Sequence, residues 1–201
     1  MKVITKFSKK DLWTIPNILC YIRFLLIPAF VVLYIKATTP SEYLRAAVIV
    51  LISGMTDFLD GFIARRYNMI TDLGKLIDPI ADKLTQASLI FVLIVKIKWM
   101  YLLLVMFLLL QVFLVVAGLI MLKKGRKLNG SKWFGKVSTT VFYAIMLILV
   151  ALPTLDYRIT NTLMVVCGGF FLLSMLMYMK EYIMMYRGLK IKKGGRKEGS
   201  R

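Results

Sequence analysis

Histidine is absent from this chain of 201 residues. That rules out an imidazole general base, an imidazole metal ligand and a serine triad built on histidine. Cysteine is nearly as scarce. Cys20 and Cys167 each lie within an apolar run, so neither a disulfide framework nor a zinc site is expected, and both read as buried packing residues. Negative charge is short as well, with 10 acidic residues against 28 lysines and arginines and a net charge of +18. Long polar stretches are missing too: 59% of the residues are hydrophobic and the mean hydropathy is +0.75. This balance excludes a water-soluble domain and fits one integral membrane domain. The basic residues sit between apolar runs and in the C-terminal tail, so an anionic lipid surface is the expected partner and nucleic acid is not.

Apolar runs are what the sequence has in abundance. Residues 1–14 alternate lysines with Val3, Ile4, Phe7, Leu12 and Trp13 and lack the apolar core and cleavage site of a signal peptide, which predicts an interfacial amphipathic segment. Pro16 opens a helix at its first turn, and the run 18–35 is long enough to span a bilayer. Arg23 interrupts that run, either snorkelling to the near interface or reaching as a phosphate ligand toward acids further along. Further spans are expected over about 43–67, 73–97, 99–122, 133–152 and 159–186. The expected fold is all-α: a polytopic integral membrane protein with six transmembrane helices over 15–188, preceded by an interfacial amphipathic helix over 1–14 and followed by a basic disordered tail over 189–201. No internal repeat or second domain is visible. Of the 28 basic residues, 21 fall in the N-terminal segment, the 65–75 region, the 123–136 region and the stretch from Lys180 onward, which places both termini on the cytoplasmic side by the positive-inside rule.

Four carboxylates at helical spacing, Asp57, Asp60, Asp78 and Asp82, interrupt this apolar sequence. On a helix turning about 100° per residue, Asp57, Asp60, Gly61, Ala64 and Arg65 share one sector. Gly74, Asp78 and Asp82 are spaced four apart and stack on one face of the next helix, and a turn through Tyr67, Asn68 and Thr71 lets the two faces meet. Carboxylates gathered at low dielectric repel one another, and Arg65 cannot neutralise four of them. A divalent cation is the economical counter-charge, and an all-oxygen ligand set points to Mg²⁺, Mn²⁺ or Ca²⁺ rather than zinc. Gly61, Ala64 and Gly74 leave room for a large group beside the backbone, and Arg65 offers a fork suited to phosphate oxygens. An ion-transport reading requires acids spread through the membrane depth, whereas these crowd at one face.

The pattern D-x2-D-G-x2-A-R-x8-G-x3-D-x3-D resembles, without gap or mismatch, the signature of the CDP-alcohol phosphatidyltransferases. The opening Ile15-Pro16-Asn17-Ile18-Leu19, followed by Arg23 and Pro28, resembles the first helix of the branch that makes phosphatidylglycerophosphate and cardiolipin. Such enzymes transfer the phosphatidyl group of CDP-diacylglycerol to an alcohol and release CMP. The resemblance implies two ions, Mg²⁺ or Mn²⁺, held with the pyrophosphate by Asp57, Asp60 and Asp78. It makes Asp82 either a further metal ligand or the general base that takes the acceptor's proton, and gives Gly61, Ala64, Arg65, Gly74 and Asn17 to the CDP moiety. A homodimer in a bacterial plasma membrane, with a cytoplasmic active site, is also implied.

Glycerol 3-phosphate is the acceptor expected from this resemblance, with Lys132, Lys136, Arg126 and Arg23 as candidates for its phosphate. Lys132 and Lys136 lead because they sit four apart on the opening turns of a span; the basic loop around Arg126 serves equally well as an anchor on anionic lipid. One departure stands against this acceptor. Phosphatidylglycerophosphate synthases carry an Arg-Glu pair late in the fourth helix and a Gly-Lys-x-Lys-Thr run at the fifth. This chain has Gln111 in the first region, and Ser138 replaces the second lysine of the other. A cardiolipin synthase with phosphatidylglycerol as acceptor is therefore the alternative.

Overall fold

A computed structural model of the chain describes residues 12–124 and 132–198, with side chains described as far as residue 187. Most of the expected interfacial segment over 1–14 and all of Arg126 lie outside the described residues. Every regular element among the described residues is a helix. We number them α1 (Ile15–Lys36), α2 (Pro40–Arg66), α3 (Gly74–Ile94), α4 (Met100–Lys123), α5 (Trp133–Ala151) and α6 (Tyr157–Glu198).

Five of these are long and apolar enough to cross a membrane: α1, α2, α4, α5 and residues 157–187 of α6, with mean hydropathies of 2.4, 1.7, 3.0, 1.8 and 2.0. The protein is thus an all-helical polytopic membrane protein. Helix α3, at 21 residues, is long enough but carries Lys75, Asp78, Asp82 and Lys83 in its first ten positions, which lowers its apolar content. The backbone of α6 stays helical to Glu198, where the sequence reading has the tail disordered from 189. Lysine, arginine and glutamate are good helix formers, and extending an existing helix avoids the cost of nucleation.

The described residues fall into two compact units: those up to residue 98 with 146–156, and residues 99–145 with those from 157 onward. In the first unit, α1 packs against both α2 and α3. The buried positions of α2 (Tyr43, Ala46, Ala47, Val50, Ser53, Thr56 and Asp60) recur every three or four residues and are mostly small, which lets a neighbouring backbone approach closely. Outward-facing residues such as Leu25, Met55, Phe58 and Phe91 are exposed, as expected for surfaces that lipid covers. At the end of this unit remote from the acids, Tyr34 and Tyr43 meet edge to face with ring centres 5.3 Å apart. Lys96 donates to the Tyr43 hydroxyl and lies 4.0 Å from the centre of that ring.

In the second unit α4 packs against α6. Phe107, Phe142 and Phe171 form an aromatic cluster, with ring centres 5.6 to 6.5 Å apart. Lys132 forms an ion pair with Glu181 of α6, and Lys124 lies 3.6 Å from the centre of the Tyr186 ring.

Candidate active site

Two local stop-and-start signals bring the acids of α2 and α3 together. Helix α2 ends in a Schellman-type turn: Asn68 is left-handed at φ 52°, and the Met69 amide donates back to the Ala64 carbonyl at 3.0 Å. Asparagine tolerates that conformation better than other residues with a Cβ. Helix α3 begins where the Thr71 hydroxyl accepts the Gly74 amide at 2.9 Å, satisfying a donor that the first helical turn leaves open. Asn17 of α1 exchanges hydrogen bonds with the same hydroxyl at 3.2 and 3.3 Å, tying the start of α3 to α1. A Cβ on Gly74 would lie 2.8 Å from Asn17 Oδ1 and 3.0 Å from Thr71 Oγ1. Glycine at 74 therefore lets Asn17 and Thr71, the former also a residue that the sequence reading gives to CDP, come close to the helix backbone.

The acids divide into three environments. Asp60 is buried, and so is Arg23. The Arg23 guanidinium reaches Asp60 Oδ2 at 2.5 Å and Asp57 Oδ1 at 2.9 Å, spanning two carboxylates one turn apart on α2. Arg23 thus does not snorkel to the interface; it reaches toward the motif, as the other sequence reading has it, and pairs there with two of its acids. It is the internal cation that the sequence reading lacked when it set Arg65 alone against four acids. Arg65 itself is exposed, and its guanidinium lies 3.5 Å from the place a Cβ on Gly61 would take. Asp78, half-buried, accepts from the Cys20 thiol at 2.6 Å. Asp82 pairs with Lys83 at 3.4 Å and accepts from the Gln86 amide at 3.4 Å.

A tight group results that the sequence reading did not name. Donor atoms of Cys20, Asp60 and Asp78 all lie within 4.8 Å of one another, a spacing at which they could hold one metal ion. From the sequence alone Cys20 reads as a buried packing residue. Its signal was available: Asn17, Cys20 and Arg23 stand three apart on α1 and span a sector of only about 120°. The site is therefore three-sided, built on α1 as well as on α2 and α3. Lys132 and Lys136 belong to the second unit, where the Lys136 amide donates to the Lys132 carbonyl at 3.2 Å on the opening turn of α5. The Lys132 ammonium is engaged by Glu181, while Lys136 is exposed. Ser138 is buried and donates to the Phe170 carbonyl at 3.3 Å, so a lysine in its place would have to bury a charge.

An all-helical membrane protein with paired acids at the facing ends of two helices, and a buried arginine between them, belongs to a class built to handle charged groups at a membrane face. Its family follows from comparison. The chain belongs to the CDP-alcohol phosphatidyltransferases, whose family model matches residues 13–185. A Pseudomonas fluorescens protein named CDP-diacylglycerol--glycerol-3-phosphate 3-phosphatidyltransferase is 30% identical over 173 residues, 83% of this chain and 88% of that one. Proteins of the same name from Rickettsia bellii and Escherichia coli K12 match over shorter stretches. The first is 39% identical over 82 residues, 41% of this chain and 45% of its own. The second is 41% identical over 75 residues, 37% of this chain and 41% of its own. The chain thus spans less than half the length of these two relatives.

Proposed function

We propose that this protein transfers the phosphatidyl group of CDP-diacylglycerol to glycerol 3-phosphate, releasing CMP. The observation that carries the reading is the family motif folded into one site: Asp60 and Asp78, from two helices, stand within 4.8 Å as a pair of oxygen donors. The names of the relatives supply the acceptor.

The donor set fits a divalent ion, Mg²⁺ or Mn²⁺, with two ions expected. Asp57, Asp60, Asp78 and Asp82 would hold them, and bound there they would neutralise the pyrophosphate and the departing CMP. Everything else falls to the chain's own groups. Arg23 takes one oxygen of Asp57 and one of Asp60, which fixes both carboxylates and offsets their repulsion before any ligand arrives. Arg65, exposed beside Gly61 on the same face of α2, is placed to meet phosphate oxygens of the donor. Asp82 takes the proton of the acceptor hydroxyl as the new P–O bond forms, and Lys83 and Gln86 orient its carboxylate. Lys136 binds the phosphate of the acceptor.

Helix α3 acts as a sixth span, with its polar start at the membrane face and its apolar remainder in the bilayer. Both termini and the site face the cytoplasm, and the protein works as a homodimer on anionic lipid. The test is CMP release by purified protein with Mg²⁺ or Mn²⁺. Glycerol 3-phosphate should stimulate it; stimulation by phosphatidylglycerol alone would make this a cardiolipin synthase.

A further inference from the structure

The acid site contains a sulfur that an all-oxygen metal site has no use for. Cys20 is wholly buried, its sulfur is 2.6 Å from Asp78 Oδ1, and it forms with Asp60 and Asp78 the tight donor group of the described residues. We propose that Cys20 is a metal ligand of this site and gives it an affinity for thiophilic divalent ions, zinc and cadmium, at the position where the enzyme's own hard cation binds. This rests on the reading of the acid cluster as a metal site and does not require the transfer reaction.

Ligand chemistry supports the assignment. Thiolate sulfur is a soft donor that favours zinc-like ions, whereas carboxylate and water oxygens suit magnesium and manganese. One sulfur and two carboxylates make a three-ligand protein set, which leaves a fourth zinc position open. At a tetrahedral zinc ion with bonds of about 2.3 Å to sulfur and about 2.1 Å to oxygen, donors stand about 3.4–3.6 Å apart. The observed group, within 4.8 Å overall and with Cys20 Sγ 2.6 Å from Asp78 Oδ1, reaches that spacing by side-chain shifts of about 1 Å as the ion replaces the thiol hydrogen bond. Charge agrees as well. A thiolate with Asp57, Asp60 and Asp78 carries four negative charges, of which Arg23 and a divalent ion cancel three, and the one left over falls to Asp57, which solvent reaches. The thiol proton leaves to water as the metal–sulfur bond forms. Asp57 is exposed and Asp78 half-buried, so the group borders the protein surface. Cys167 is an internal control, because it is equally buried on α6 and joins no such group among the described residues.

Cadmium reports on this directly, since a cadmium–thiolate bond absorbs in the ultraviolet and a cadmium–carboxylate bond does not. The full-length protein in detergent is stripped with chelator, titrated with Cd²⁺ and read by absorbance, with helicity checked by circular dichroism. A saturable band is expected in the wild type and in Cys167→Ser, and none in Cys20→Ser or Cys20→Ala. Asp78→Asn, which keeps the thiol, should weaken cadmium binding by about tenfold or more, at least the loss that removal of an outer partner causes. No band in the wild type, a band kept in both Cys20 variants, or a band lost only in Cys167→Ser would overturn the assignment. CMP release with Mg²⁺ is measured separately. A Cys20-dependent band without CMP release sinks the transfer reading alone, and CMP release without a band sinks this one alone.

Discussion

At the scale of single residues, Arg23 and Asp60 are the pair on which the site depends. A guanidinium and a carboxylate buried together stand at little net cost, but removal of one partner leaves the other charged and unpaired, at about 3–5 kcal/mol. Arg23→Gln should therefore lower stability in detergent by an amount of that order, and adding Asp60→Asn to it should recover part of the loss; a thermal-denaturation series over the two single variants and the double variant reads this out. If Arg23→Gln melts like the wild type, the pair is not a structural keystone. The acids make a separate prediction about chemistry: Asp78→Asn and Asp82→Asn should each abolish CMP release while the protein elutes as a single folded species. All four acids were legible in the sequence, because aspartate is rare in apolar runs and usually functional there. The particular carboxylates that Arg23 and Cys20 meet were not. Which carboxylate a side chain meets depends on how α1 is rotated against α2 and α3, and a single sequence does not specify that rotation.

At the scale of the helices, the close approach of α1 to the start of α3 is the feature most open to test. Gly74→Ala would push a methyl group against Asn17 and Thr71, and a clash of this kind typically costs about 1–3 kcal/mol. It should lower both stability and CMP release. Gly54→Ala is its contrast, since nothing lies within 4 Å of that position and alanine favours a helix interior by about 0.5–1 kcal/mol. A melting curve for Gly54→Ala at or above the wild type, beside a depressed one for Gly74→Ala, is the expected outcome. On α5, Lys136→Ala should raise the KM for glycerol 3-phosphate more than the KM for CDP-diacylglycerol, and equal effects would remove Lys136 from the acceptor site. The turn between α2 and α3 was readable from Asn68 and Thr71 because its chemistry is local. The approach of Asn17 to Gly74 was not, because Asn17 lies 57 positions earlier in the chain.

At the scale of the whole molecule, the long apolar runs announce the membrane domain without ambiguity, and five helices meet the length and hydropathy of spans. Helix α3, expected from the sequence as a further span, is not among them because of the charges at its start, so the candidate site residues are themselves what blurs the fold at that point. Orientation rests on charge: with 21 of 28 basic residues at the termini and the regions 65–75 and 123–136, reporters fused to either end should be active only on the cytoplasmic side. A signal on the opposite side from either end would reverse the topology and count against the proposed use of a nucleotide-activated lipid. The central claim is that the four aspartates form a metal-dependent phosphatidyl transfer site. Its most direct test is CMP release from CDP-diacylglycerol by the purified protein, with and without glycerol 3-phosphate, in Mn²⁺ or Mg²⁺ and again after chelation. Release that requires both the acceptor and the metal, and disappears in Asp78→Asn, is the predicted result; release that persists in chelator or in Asp78→Asn, or no release with any acceptor, would contradict it.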